Sequence, residues 1–245
     1  MSPQNSSERI RAVRERIARA TAEAGRNAQS VTLLAVGKGQ PARLLRAAAA
    51  SGITDFGESY IQEALAKVAA LQDLPLTWHF VGRLQANKTR PVAESFAWVH
   101  GVDRLKLAER LSAQRPPGAA PLNVCLQVNL AGETTKGGVA AAELPALAAA
   151  VAPLPRIRLR GLMCIPPEET DPARQRGWFS RLRQLFVALN DSGAGLDTLS
   201  MGMSGDFEAA ILEGATLVRI GTALFGPRPA RSGERADEPG PKDTG

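Results

Sequence analysis

The sequence predicts an α/β protein folded as a single (β/α)8 barrel with an extra N-terminal helix. Three observations predict it. Eight short apolar runs punctuate residues 31–220, segments of helical period separate consecutive runs, and no GxGxxG fingerprint follows the first run. Strands alternating with helices pair in parallel through right-handed crossovers. Eight such units in about 200 residues fit a closed barrel better than an open sheet. An open dinucleotide-binding sheet would need the glycine fingerprint that "VGKGQP" does not supply.

The elements follow in order. Residues 1–7 are polar and read as a flexible lead-in. Residues 8–25 carry Ile10, Val13, Ile17, Ala20 and Ala24 at three- and four-residue steps, which predicts an amphipathic helix. The predicted strands are 31–36 ("VTLLAV"), 53–56 ("ITDF"), 76–81 ("LTWHFV"), 97–100 ("AWVH"), 122–129 ("LNVCLQVN"), 157–163 ("IRLRGLM"), 196–199 ("LDTL") and 216–220 ("TLVRI"). Helices are predicted between them at 41–51, 59–72, 85–95, 103–114, 141–152, 172–190 and 206–214. In "PRIRLRG" arginines alternate with aliphatics, as expected where stems pack and charges reach water. After Gly226 proline, glycine and mixed charge take over, so 227–245 reads as a disordered tail. The barrel domain is therefore expected at 8–226.

Composition narrows the function. The net charge of +6 comes from scattered arginines, with no basic run interleaved with aromatics and no zinc-knuckle or helix-turn-helix cue. Nucleic acid is therefore not read as a partner. Anionic small molecules suit such a surface better. Cys125 and Cys164 lie in apolar stretches and read as small buried hydrophobes. Two distant histidines make no metal site. The polar N-terminus carries no secretory apolar segment, and no run approaches the roughly 18 apolar residues of a membrane span. A soluble, cytoplasmic protein is expected.

In such barrels the C-terminal strand ends form the working rim. Lys38 stands there after the first strand, and Ser59 and Tyr60 after the second, in "GESY". His79 is placed at the end of the third, His100 at the end of the fourth, and Asn129 and Lys136 after the fifth. Met163 ends the sixth. Ser204 and Gly205 follow the seventh, in "MGMSGDFEAA"; Arg219 ends the eighth, before Gly221 and Thr222 in "RIGTALFG". Ser204 and Gly205 precede a helix, where free backbone N–H groups favour an anion. Gly221 lets backbone approach a ligand, and Thr222 offers a hydroxyl. Loops after the last two strands are the usual phosphate cradle of this architecture. A helix cap and a relieved turn would explain each loop singly, but two on neighbouring strands favour an anion site.

Lys38 completes the pattern. An amine at an apolar strand end loses solvation, which lowers its pKa and lets it attack a carbonyl. With a phosphate cradle across the rim, the ligand becomes a phosphorylated aldehyde: pyridoxal 5′-phosphate, or a sugar phosphate in an aldolase-type site.

These segments resemble the pyridoxal phosphate homeostasis proteins (YggS/PROSC type), relatives of the barrel domain of bacterial alanine racemase. The resemblance runs from about residue 8 to 228, through "AVGKGQP", "FGESYIQEA", "WHFVGRLQANK", "LNVCLQVNLAGETTKGG", "LDTLSMGMSGDFEAAI" and "TLVRIGTALFG". It implies that Lys38 holds the cofactor as an internal aldimine, that Ser204, Gly221 and Thr222 bind its phosphate, and that Arg219 faces the pyridine nitrogen. An arginine there would keep that nitrogen unprotonated, because adjacent positive groups repel. The family usually reads "SK" and "GENY" where this chain has Gly37–Lys38 and "GESY", and "MSDD" or "MSMD" where it has "MSGD". Ser59 thus replaces an asparagine near the cofactor.

A non-catalytic carrier or buffer of vitamin B6 is the expected function, with transient contact to apo-enzymes that use the cofactor. A weak amino-acid racemase and a Schiff-base sugar-phosphate lyase are the alternatives. Alanine racemase draws a catalytic tyrosine from a second domain, whereas here the sole tyrosine is Tyr60 and a tail follows the barrel. A monomer is expected. Lys136 is a candidate secondary acceptor of the aldehyde, with Tyr60 and His79 as further secondary positions.

Overall fold

The computed structural model describes residues 3–133 and 137–227. The chain runs α1 (Pro3–Glu23), β1 (Thr32–Val36), α2 (Ala42–Ala50), β2 (Asp55–Glu58), α3 (Ile61–Ala70), β3 (Thr77–Phe80), α4 (Thr89–Ser95), β4 (Trp98–Val102) and α5 (Leu105–Gln114). It continues through β5 (Leu122–Asn129), β6 (Val139–Ala140), α6 (Leu144–Val151), β7 (Ile157–Cys164), α7 (Pro172–Asp191), β8 (Thr198–Ser200), α8 (Phe207–Leu212), β9 (Leu217–Ile220) and α9 (Thr222–Phe225). Among the described residues all strand pairings are parallel, in the order β4-β3-β2-β1-β9-β8-β7-β5, and a β4–β5 pairing closes the ring. The eight predicted strands are therefore the eight staves of a closed barrel. The two-residue β6 adds to the outside of β5, and its sequence gives no signal for it.

Several boundaries differ from the sequence reading, among them the second strand, expected at 53–56 and found at Asp55–Glu58. The first helix starts at Pro3, so residues 3–7 are helical rather than a separate lead-in. The fourth strand runs on to Val102, which leaves His100 in its middle rather than at its end. The expected tail at 227–245 lies, beyond Pro227, outside the described residues.

A sheet buried on both faces needs two cores, and here they differ in chemistry. Outward-facing residues of the strands meet the helices in an apolar shell containing the fully buried Phe56, Phe80, Phe96, Phe179, Phe207 and Phe225. Within the barrel, parallel register aligns Leu34 with Arg219, Gly57 with His79 and Met163 with Ser200. Much of the lumen is thus polar, where barrels of this type usually pack branched aliphatics. The predicted amphipathic face of α1 is buried through Ile10, Val13, Ile17 and Ala20. It lies against α2, α8 and α9, where Arg16 clamps Glu208 at 2.7 Å and stacks over Phe207.

Candidate functional site

Lys38 stands two residues beyond the end of β1, at the barrel mouth, and is half-buried. Gly37 packs tightly beside it. A Cβ there would lie 2.8 Å from a Glu58 carboxylate oxygen and 3.0 Å from both Leu45 methyls. That carboxylate belongs to a buried cluster. Lys67 Nζ, on α3, donates to the Gly37 carbonyl at 2.7 Å, to Glu58 Oε1 at 2.7 Å and to Glu63 Oε1 at 2.6 Å. Glu63 Oε1 also accepts from the Gly39 N–H at 2.6 Å. The backbone on both sides of Lys38 is therefore tied to α3. Burial pushes the Glu58 carboxyl up to about 7, against the opposing pull of Lys67 and, further off, Lys38.

The neighbouring side of the mouth, next to β1, is built from two loops. Ser204 lies in the turn before α8, and its Oγ accepts from the Ala223 N–H of α9 at 3.3 Å. That bond joins the loops after β8 and β9. Gly221 caps α9, and a Cβ on it would come within 3.2 Å of the Val36 carbonyl, so the cradle sits close against β1. Thr222 opens α9 and is exposed, as is Gly205. Asp206 folds back so that its carboxylate accepts from the Met203 N–H, which sets the turn.

Arg219, on β9, is buried, and its guanidinium is held from two sides. Nη1 donates to the Ser200 carbonyl and hydroxyl at 2.6 and 2.9 Å, and Nη2 to the Cys164 carbonyl at 2.8 Å. Met163, on β7, is buried and level with Ser200. Asn129, at the end of β5, is half-buried and donates to the Glu133 carbonyl at 2.8 Å, which shapes the loop above. Ser59 and the 48% exposed Tyr60 line a cavity of about 550 Å³ together with Arg83 and Lys88.

Two predicted rim residues, His79 and His100, are not at the rim. His79 is 1% exposed inside the lumen, with Nδ1 3.0 Å from His100 Nε2 and Nε2 3.0 Å from Asp55 Oδ1. Asp55 opens β2, so His79 points to the barrel floor. It is second to last in a four-residue strand, and the stagger of the barrel puts that position well below the mouth. Lys136 lies outside the described residues. Cys125 and Cys164 are buried, and burial pushes both thiols up to about 12.

Glu58, Glu63 and Lys67 do not stand out in the sequence. Glu63 and Lys67 are four apart on a helix, a spacing that resembles an exposed ion pair. The usable signal is that Lys67 shares the stripe of Ala64 and Leu71, both of which are buried.

Comparison with known proteins gives the family. The family model of the alanine racemase N-terminal domain matches residues 9–229. The pyridoxal phosphate homeostasis protein of Pseudomonas aeruginosa is 61% identical over 221 residues, covering 90% of this chain and 95% of that one. Its Escherichia coli K12 counterpart is 49% identical over 219 residues, covering 88% and 94%. PipY of Synechococcus elongatus, solved with pyridoxal phosphate bound, superposes with a TM-score of 0.80 at 39% identity, over 90% of this chain and all of PipY. The alanine racemase of Corynebacterium glutamicum shares the fold, with a TM-score of 0.65 at 19% identity. A closed parallel barrel with a lysine and a two-loop cradle at one mouth, and relatives alike over almost their whole length, lead to one assignment: the chain belongs to the alanine racemase N-terminal domain family and, within it, to the pyridoxal phosphate homeostasis proteins.

Proposed function

We propose that this protein binds pyridoxal 5′-phosphate on Lys38 as a Schiff base and serves as a non-catalytic carrier of vitamin B6 in the cytoplasm. The observation that carries this reading is the placing, side by side at one mouth, of the tethered Lys38 and the joined loops of Ser204 and Gly221. The donor set fits the group. The N–H groups of the cradle suit a phosphate. Arg219 has Nε–H and one Nη2–H left over after its bonds to Ser200 and Cys164, which suit an acceptor nitrogen. When bound, the cofactor supplies an aldehyde carbon that a lysine amine joins with loss of water. Lys67 and Glu63 hold Lys38 in place, Met163 excludes water at the level of Ser200, and Ser59 and Asn129 furnish polar contacts at the rim.

Carriage rather than turnover is favoured by the state of the other acid–base candidates. Both histidines use both ring nitrogens inside the barrel. Tyr60 is half exposed in a side cavity. No described helix is long and apolar enough to cross a membrane. We read the carrier as a monomer that meets apo-enzymes transiently.

The test is uptake of pyridoxal 5′-phosphate by the purified protein. A visible absorbance band should form, and borohydride followed by peptide mapping should place the pyridoxyl group on Lys38. Lys38→Ala should lose both. Colourless protein in excess cofactor overturns the reading. Trapping with a sugar phosphate in cofactor-free protein would favour a lyase, and α-deuterium exchange of amino acids in D2O a racemase.

A further inference from the structure

We infer that Asp55, His79, His100 and Ser200 are positioning residues for Arg219, acting on the cofactor site from the barrel floor through a one-way chain of hydrogen-bond donors. This rests on the proposed cofactor site. The chain spans the lumen. Arg219 Nη1 meets Ser200 Oγ at 2.9 Å, Ser200 Oγ meets His100 Nδ1 at 2.8 Å, His100 Nε2 meets His79 Nδ1 at 3.0 Å, and His79 Nε2 meets Asp55 Oδ1 at 3.0 Å.

The chemistry of its ends fixes every proton. A guanidinium only donates, so Ser200 Oγ accepts from Arg219, and its own hydrogen is free to go to a bare His100 Nδ1. A carboxylate only accepts, so His79 carries its hydrogen on Nε2. Neutral His79 then offers a bare Nδ1 to the N–H of His100 Nε2. Both ends demand the same direction and the same tautomer of both rings. Two neutral imidazoles with Nε2–H satisfy all four bonds, whereas a proton added to His79 puts two N–H groups face to face, and one added to His100 forces the Ser200 hydroxyl to turn its hydrogen away.

The surroundings agree. Burial lowers the pKa of His79, and that of His100 falls well below its ordinary value through burial, with His79 and Arg219 adding to it. Burial works against ionisation of Asp55, yet the bonds from His79 and Thr54 hold its carboxyl below the ordinary value. The other charged groups facing the chain are the Arg160–Asp197 pair on the floor and Asp206 near Arg219, with the thiols of Cys125 and Cys164 protonated. Asp55, His79, Arg160 and Asp197 border a floor cavity of about 320 Å³, separate from the mouth. The negative end of the chain thus lies by that cavity, and its positive end is the guanidinium offered to the cofactor.

The chain holds only two histidines, so imidazole 15N NMR on the full protein reads both rings directly. In cofactor-free protein both should be neutral Nε2–H tautomers at pH 7, and both should shift on addition of pyridoxal 5′-phosphate. A cationic ring, an Nδ1–H tautomer, or rings that ignore the cofactor overturns the inference. Two variants add a second readout. Asp55→Asn keeps an acceptor for His79 but removes the charge. It should lower the pH midpoint of the bound cofactor's absorbance change by about half a pH unit, the scale of a charge acting across an effective dielectric of about 20. His100→Leu severs the chain and should weaken cofactor binding up to about tenfold, the scale of one neutral hydrogen bond. Cofactor uptake by the wild-type protein separates the two readings. No band at all sinks the carrier function, whereas a normal band with unchanged midpoint and affinity in both variants sinks the chain.

Discussion

Replacing Glu58 by glutamine should make the protein's stability less dependent on pH. The Glu58 side chain is fully buried, and its Oε2 finds no partner among the described residues. Burial raises its carboxyl from an ordinary 4.5 to about 7. An acid raised in the folded state is not penalised below its unfolded pKa. It loses stability as pH climbs from 4.5 to 7, because the unfolded chain ionises first. At about 1.4 kcal/mol per pH unit the loss amounts to about 3 kcal/mol in full, and about 2.5 kcal/mol between pH 5 and pH 8. Glutamine cannot ionise, and its amide oxygen can still accept from Lys67, whose charge remains balanced by Glu63. Its amide N–H group takes the place of the orphaned Oε2, a constant cost of about 1–2 kcal/mol. Relative to wild type, Glu58→Gln should therefore be the less stable protein at pH 5 and should gain about 2.5 kcal/mol on it by pH 8. Urea unfolding of both proteins at several pH values reads this directly. Stability curves that stay parallel from pH 5 to 8 would refute the reasoning.

Gly37→Ala should cost about 1–3 kcal/mol through overlap with Glu58 and Leu45 and should slow capture of the cofactor at Lys38, read by thermal melts and absorbance. Cys125 and Cys164 should stay unreactive toward a thiol reagent at pH 8 in the native protein and react together on unfolding; fast labelling of either would contradict their burial. Arg16→Ala, which frees α1 from Glu208 and Phe207, should cost only about 1 kcal/mol, since the pair is one-third or more exposed; a loss of several kcal/mol would mean that α1 is essential to barrel closure.

The architecture was legible because its signals are local. A buried strand is a short apolar run, a covering helix repeats every three or four residues, and both patterns are written within a dozen positions. The run "VTLLAV" and the stripe Ile10, Val13, Ile17 and Ala20 needed no partner to be recognised. The mouth was legible for a related reason: loops after successive strands of a barrel must meet at one end, so Lys38, Ser204 and Gly221 could be grouped by their place in the alternation. What surrounds Lys38 was not. Glu63 and Lys67 have the spacing of a surface pair, but the roll of α3 turns Lys67 inward onto Gly37 and Glu58.

The sequence alone determined the barrel and the order of its staves around the rim, because both follow from alternation along the chain. Only the tertiary structure decided the inside of the barrel. Parallel register brings His100 onto Ser200 across 100 residues, and bends His79 down to Asp55 instead of up to the rim. No local pattern encodes such contacts. They arise when eight strands close, and a polar side chain shut away from water must then bond to whatever the ring places beside it.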